Sequence, residues 1–311
     1  MKLYFKDKNS ILSDIRRYFE ITEIPSEADA ALLWRDGDYR RLIGEIQPFI
    51  DAGKREKHLP LIMYQHGGYI GTNRPYANIF AKYLSKYLIW GEEQIQFLLG
   101  DQVPPEKIVI TSTPIFDKLK PRRRHSGTNV LYAPISCRLE WYPNFEMAKE
   151  LRKSGLNIIT KITNVNEPDK YDNVICSHVD ESWHWDMVID VLRDADIVVS
   201  PEDSTIEMLA RYLDIPVVMH LPEKYETVVG FVDTALKERN VKWVMPGAKR
   251  VTRLEDLNGA IRQQLDHPEE LRKERQECLR TWGGVGVVKD PLKKIVEEIK
   301  CFEPKHGDVP A

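Results

Sequence analysis

ADIVVSPEDSTIEMLARYLDIPVVMH, Ala195 to His220, is the stretch on which the fold reading turns. Its β-branched run Ile197–Val199 reads as a strand buried in a parallel sheet and ending at Ser200. A short loop follows, and then a helix from Ser204 to Leu213, opened by Ser204 and Glu207 in the spacing of a capping box. A second apolar strand, PVVMH, starts at Pro216. The backbone N–H groups and positive dipole end of a helix, at Ser204-Thr205, therefore fall at the carboxyl end of a parallel strand, where open α/β sheets take anionic ligands. The plain structural alternative is a capped helix with nothing bound, and Glu207 is better explained as part of the cap than as a ligand contact.

The same rhythm extends both ways from this stretch. Upstream in the second half, strands read NVLYAPI from Asn129, NIITKIT from Asn157 and NVICSH from Asn173, with helices at Phe145–Ser154 and Asp186–Arg193. In the first half they read LYF from Leu3, ALLW from Ala31, LPLIMYQ from Leu59, YLIWG from Tyr87 and KIVIT from Lys107, with a helical pattern from Tyr76 to Tyr87. Alternating strands and helices predict an α/β fold with parallel sheets. Between the halves, KLKPRRRHSGT (Lys118–Thr128) combines Pro, Gly and charge, the composition of a linker. The expected organisation is two Rossmann-like domains facing a cleft: 1–120, a linker at 121–128, a second domain at 129–285, a helix at 286–301 returning to the first domain, and a frayed tail at 302–311. The chain from Leu254 to Lys300 reads as helical and charged throughout.

A chain of 311 residues suffices for two such domains, and a composition 42% hydrophobic and 30% charged is that of a globular protein. A net charge of −3 argues against a surface built wholly for nucleic acid. Cys137, Cys176, Cys278 and Cys301 form no CxxC pair, so neither a disulfide framework nor a zinc site is expected. The N-terminus lacks the apolar core of a signal peptide, and no apolar run approaches the ~18 residues of a transmembrane helix. The expected location is the cytoplasm.

NVLYAPI, the strand containing Lys161, and ADIVVSPEDST with its helix and IPVV together resemble the donor-binding half of the GT-B glycosyltransferase fold. In wording they are nearest to the CDP-glycerol glycerophosphotransferase group of teichoic acid synthesis. QHGG at Gln65–Gly68 is similar to that group's His-Gly loop, and GEEQIQFLLG followed by KIVITSTPIFDKL is similar to its approach to the linker. The resemblance runs from about Leu59 to His220, and the order of the motifs is more specific than any one of them. Two departures stand beside it. The group's His-Pro pair after the Lys161 strand is replaced by KITNVNEP, and an acid of its donor helix is replaced by Leu209. Many GT-B enzymes hold the donor ribose with an acid near that point, so the nucleotide stays open between UDP and CDP.

His66 is the candidate general base. It follows LPLIMYQ and precedes Gly67 and Gly68, which places it at a strand's carboxyl edge, facing the cleft, with small neighbours that admit substrate. An imidazole titrating near neutrality can take a proton from an attacking hydroxyl, and the resembled group uses the His of its His-Gly loop in this way. Lys161, near a strand end, and Arg138, in the loop after NVLYAPI and one residue from where the group has an arginine, are candidate phosphate neutralisers. The resemblance thus implies a transferase moving a sugar or glycerol phosphate from a nucleoside-diphosphate donor to a hydroxyl of a glycan, cell-wall polymer or modified nucleic acid. Ser204, Thr205, Lys161, Arg138, Gly67 and Gly68 would bind the donor, and neither a cofactor nor a metal is expected.

Asp36-Gly37-Asp38 spells a metal-binding Asp-x-Asp, but Asp-Gly is a common turn and a turn is the expected reading. Arg122-Arg123-Arg124-His125 could touch nucleic acid or make a peripheral contact with an anionic membrane, and a solvated hinge is the plainer reading. Trp183 and Trp185 flank His184 where this fold often holds a nucleotide base, although such rings are more often core. Rival readings are a UDP-N-acetylglucosamine 2-epimerase-like enzyme, for which no convincing acidic pair is seen, a transferase acting on modified DNA bases, and a non-catalytic nucleotide-binding module.

Overall fold

The computed structural model describes residues 1–6, 12–33, 39–53, 59–65, 83–100, 103–123, 127–134, 144–162, 171, 173–176, 178–179, 182–183, 185–200, 205–221 and 245–303. The chain divides into two compact units, one of Met1–Pro114 with Arg280–Ala311, the other of Ile115–Leu279.

In the first unit, strands β1 (Lys2–Tyr4), β2 (Glu20–Thr22), β3 (Ala30–Leu33), β4 (Leu61–Tyr64), β5 (Lys86–Ile89) and β6 (Ile108–Ile110) form a parallel sheet in the order β2-β1-β3-β4-β5-β6. β3 and β4 are buried along their whole length, as central strands of a sheet covered on both faces must be. Helix α1 (Tyr39–Gly53) lays Ile46 and Phe49 on this sheet beside Tyr4, Leu33 and Met63, and α2 (Ile95–Gly100) adds Leu98. The sequence reading finds five of these strands and passes over β2, whose three residues EIT lie at the exposed edge and carry no apolar run. The expected helix end at Tyr83–Tyr87 is corrected: Tyr83 lies in a turn and Tyr87 is in β5, because the β-branched and aromatic run there pairs with β4. The rest of that helix lies outside the described residues.

In the second unit, α3 (Ile115–Lys118) leads to β7 (Asn129–Tyr132), α4 (Asn144–Arg152), β8 (Asn157–Ile162) and β9 (Val174–Cys176). A two-strand ribbon, β10 (His178–Val179) with β11 (Ser182–Trp183), precedes α5 (Trp185–Asp194), β12 (Ile197–Ser200), α6 (Thr205–Tyr212), β13 (Val217–His220) and β14 (Lys249–Val251). The parallel sheet runs β14-β13-β12-β7-β8-β9, which is the Rossmann order. Helices α4 and α7 (Leu257–Asp266) bury Met147, Leu151, Leu257 and Ile261 on one face with Val130, Ile158, Ile162 and Val199. Right-handed crossovers running the other way put α6 on the opposite face.

α6 ends in a Schellman turn, with Ile215 N–H on Ala210 O at 2.9 Å and Asp214 N–H on Arg211 O at 3.1 Å. Asp214 takes the left-handed position at φ 54°, and its carboxylate accepts from Arg272 at 2.7 Å and from buried Arg275 at 2.7 Å. Arg122 pairs with Asp196 at 2.8 Å and Arg123 with Asp194 at 2.9 Å, so both guanidiniums are spent on the second unit. Arg124 and His125 lie outside the described residues.

Helix α8 (Arg272–Thr281) carries the chain back, and α9 (Pro291–Lys300) packs on the first unit with Ile295, Val296 and Ile299 buried. Asp290 caps α9 by accepting from Lys293 N–H at 2.9 Å, with Pro291 at the first helical position. The helical stretch expected from Leu254 to Lys300 is broken at residues 267–271 and again at 282–290, where Gly284 and Gly286 both take positive φ.

Candidate functional site

In the second unit the strand order reverses direction between β7 and β12, so their carboxyl ends form the topological switch point of the sheet. The chain leaving β12 at Ser200 enters α6 at Thr205, so this helix starts beside the switch point. Thr205 is half-buried, and the apolar side chains Ile206, Met208 and Leu209 anchor the helix on β12 and β13. Leu209, where the resembled group has an acid, is fully buried core. Ser204 lies outside the described residues. Glu207, expected as the cap's partner, turns Oε2 along its own helix to Arg211 at 3.3 Å, with both side chains buried.

Lys161 is the last residue but one of β8. Ile158, Thr160 and Ile162 are buried and Ile159 and Lys161 half-buried, so Lys161 stands on the face opposite the α4–α7 layer, the face that carries α6. β8 is two strands from β12, which puts Lys161 about 10 Å from the strand that feeds α6. The structure thus puts Lys161 near the same carboxyl edge from which α6 starts, on the face that carries that helix. Arg138 lies outside the described residues. Trp185 is half-buried at the start of α5, and Trp183 lies in β11.

Two buried groups line the same carboxyl edge from the other side. Tyr132, at the end of β7, donates to Asn144 O at 2.9 Å, and burial pushes its phenol well above the usual range, so it is a fixed donor. His220, at the end of β13, is buried. Desolvation lowers its pKa, against a hydrogen bond to the Thr252 backbone.

His66, Gly67 and Gly68 lie outside the described residues, but the residue from which their loop departs does not. Gln65 is fully buried at the end of β4; its N–H donates to Leu88 O at 2.9 Å and its Oε1 accepts from Trp90 N–H at 2.8 Å. Both bonds tie the exit from β4 to the end of β5. Next to it, Tyr64 donates to Ser112 O at 3.3 Å, and Ser112, at φ 57°, donates through Oγ to Gly283 O at 2.7 Å. Gln94 donates to Trp282 O at 3.4 Å. A Cβ on Gly91 would lie 2.3 Å from Thr281 O, and one on Gly284 2.1 Å from Trp90 O. The returning chain at Thr281–Gly284 is thus wedged against the carboxyl ends of β5 and β6, bracing the edge on which Gln65 ends β4. Sequence reading misses this brace, whose only local signal is the Gly283-Gly284 pair.

Among the described residues, no group of three or more His, Cys, Asp or Glu is placed to hold a metal ion. Asp36-Gly37-Asp38 lies outside them. No helix among them is long and apolar enough to cross a membrane.

No family model and no curated protein matches the chain. Solved structures do. The wall teichoic acid polymerase TagF superposes with a TM-score of 0.61 at 12% identity, covering 99% of this chain and 90% of that one. A protein from Listeria monocytogenes, assigned as a UDP-N-acetylglucosamine 2-epimerase, gives 0.56 at 14%, covering 93% and 76%. TarM, solved with Fondaparinux, alpha-GlcNAc-glycerol and UDP, gives 0.50 at 14%, covering 94% and 58%. These likenesses show that the chain has the GT-B fold of two Rossmann-like domains.

Proposed function

We propose that the chain is a GT-B transferase that moves a sugar, or glycerol phosphate, from a UDP- or CDP-linked donor to an acceptor hydroxyl. The observation that carries this reading is the start of α6 beside the β7–β12 switch point of a sheet in the Rossmann order. The N–H groups at Ser204-Thr205 and the ammonium of Lys161, with Arg138, would take the donor phosphates. Charge grows on those phosphates as the bond to the transferred group breaks, and fixed donors there stabilise it without a metal. His66 would take the proton of the acceptor hydroxyl as its oxygen forms the new bond. The departing group leaves as nucleoside diphosphate when a sugar is moved and as nucleoside monophosphate when glycerol phosphate is moved. TagF has been studied with CDPG and TarM with UDP, which supports a nucleotide donor. The acceptor would be a glycan, a cell-wall polymer or a modified nucleic acid, and the cytoplasm is the expected location.

The likeness to the Listeria protein supports a second reading, epimerisation of UDP-N-acetylglucosamine. Thermal shift with UDP, CDP, GDP and their sugar or glycerol conjugates decides the donor site, since a ligand at 100 times its Kd adds ~2.7 kcal/mol. No shift with any of them refutes a donor site. Incubating the cognate conjugate without acceptor then separates the two reactions, because only an epimerase converts the sugar. His66→Ala should abolish transfer and leave the nucleotide shift intact, and surviving turnover would remove His66 from the mechanism.

A further inference from the structure

β2 closes one side of the first sheet, with β1 as its inner neighbour and no strand beyond it among the described residues. Leu3 stands opposite Ile21, and Phe5 N–H donates to Thr22 O at 3.2 Å, so the β2 groups turned inward are those of Glu20 and Thr22. Alternation along the strand then turns the N–H and C=O of Ile21 to the open side. Apolar side chains flank this edge. Tyr18 before the strand is 47% exposed and Ile24 after it 51%, two of the six large apolar side chains left exposed among the described residues. Charge along the edge is ordered by sign: Arg16 and Arg17 precede β2, and Glu20, Glu23 and Glu27 lie on or after it, all exposed. Lys2 holds Glu20 at 3.5 Å and Glu27 at 3.0 Å. Arg17 reaches back to Asp14 at 3.2 Å, an exposed pair of little strength.

We propose that the β2 edge is a self-association surface, on which a second copy of this chain pairs antiparallel about Ile21 to make a two-fold dimer. The occupant follows from the order of the charges. A two-fold axis through the edge runs the two strands in opposite directions, so the arginine end of each copy meets the glutamate end of the other. The same pairing sets Tyr18 opposite Ile24 of the partner subunit and Arg17 diagonal to Glu23 of the partner subunit, each twice over. The two Ile21 residues exchange both backbone hydrogen bonds. A parallel strand gains none of this, and charges that merely keep other strands off an edge need no order along it. With three residues in the strand, the dimer is weak and sensitive to salt.

Sedimentation velocity of the full chain from about 1 to 300 µM reads the association, with thermal unfolding recorded for each variant. The parent should pass from monomer to dimer as concentration rises and return toward monomer in about 0.5 M salt. Arg17→Glu and Glu23→Arg should each weaken dimerisation about tenfold or more, because each sets like charges together twice. Mixing these two variants should restore a dimer of one copy of each, in which both contacts again join opposite charges. Ile24→Lys should weaken the dimer about as much, whereas Leu99→Lys, at a side chain 45% exposed in α2 between β5 and β6, should leave it unchanged. A parent that stays monomeric throughout, a dimer that survives Ile24→Lys or either charge reversal, or a mixture no more dimeric than its components each overturns the proposal.

Discussion

Gly284 and Gly286 offer a paired test of the brace at the carboxyl edge of the first sheet. Their backbones are alike, at φ 68° and 78°, so an alanine at either meets a similar left-handed penalty of ~1 kcal/mol or somewhat more. Their surroundings differ. A Cβ on Gly284 would sit 2.1 Å from Trp90 O and 3.1 Å from Ser112 Cβ, whereas one on Gly286 meets nothing within 4 Å. Trp90 O is a backbone atom that accepts Ser112 N–H at 3.2 Å, so it cannot swing aside as a flexible side chain would. Relieving the clash therefore means parting the returning chain from β5, at an overpacking cost of about 1–3 kcal/mol beyond the backbone strain. Gly284→Ala should lose about 3–4 kcal/mol and Gly286→Ala about 1 kcal/mol. For a unit of this size that is roughly 10 °C in Tm against roughly 3 °C, read by thermal and urea unfolding. Equal shifts for the two variants would refute the wedge, because backbone strain alone would then account for both.

Two further expectations concern the charges that fasten the returning and connecting segments. Burial pushes Glu298 up, but hydrogen bonds from Lys294 and Lys86 outweigh it and hold the carboxyl below its ordinary 4.5. The stability from this cluster is then complete above pH 4.5 and lost as the pH falls through the lowered value, so the Tm advantage of the parent over Glu298→Gln should shrink below pH 4.5 and not above it. Asp214→Gly should relieve ~1 kcal/mol of left-handed strain yet strip buried Arg275 of its carboxylate, which costs about 3 kcal/mol. The expected net loss of about 2 kcal/mol in urea unfolding separates this site from a turn in which only φ matters, where glycine would stabilise.

The second unit was legible because its signals are local. NVLYAPI, DIVVS and PVVMH are β-branched runs in central strands, and α4, α5 and α6 each fall within two residues of the spans read from the sequence. What escaped are short edge strands with polar composition, such as β14, KRV, whose pairing with β13 depends on a neighbour rather than on its own pattern. The spacing of Glu207 from Ser204 fits a capping box and its spacing to Arg211 fits an i,i+4 pair; the structure shows the second, while Ser204 lies outside the described residues. The brace beside Gln65 is illegible in principle, since Gln94 and Trp282 are 188 residues apart and Ser112 and Gly283 171 apart.

The two sheets also explain why phosphate chemistry is assigned to one unit alone. In the first, the order reverses between β1 and β3 rather than beside β4. The described chain beyond β1 carries Phe5, Leu12 and Ile15, all buried, and its next helical turn is the five-residue 3-10 helix Ser13–Arg17. The second unit instead presents the start of an eight-residue α-helix beside its switch point. The polar, hydrogen-bonded edge of the first unit lies instead at β4, β5 and β6, where Gln65, Thr111, Ser112 and Thr113 are buried and bound. An edge built from neutral donors and acceptors, with its exits tied to one another, suits holding a loop in place more than binding a diphosphate. That contrast supports the proposed division of labour, in which charge would be handled where a helix dipole meets a switch point and the proton by His66, which lies outside the described residues.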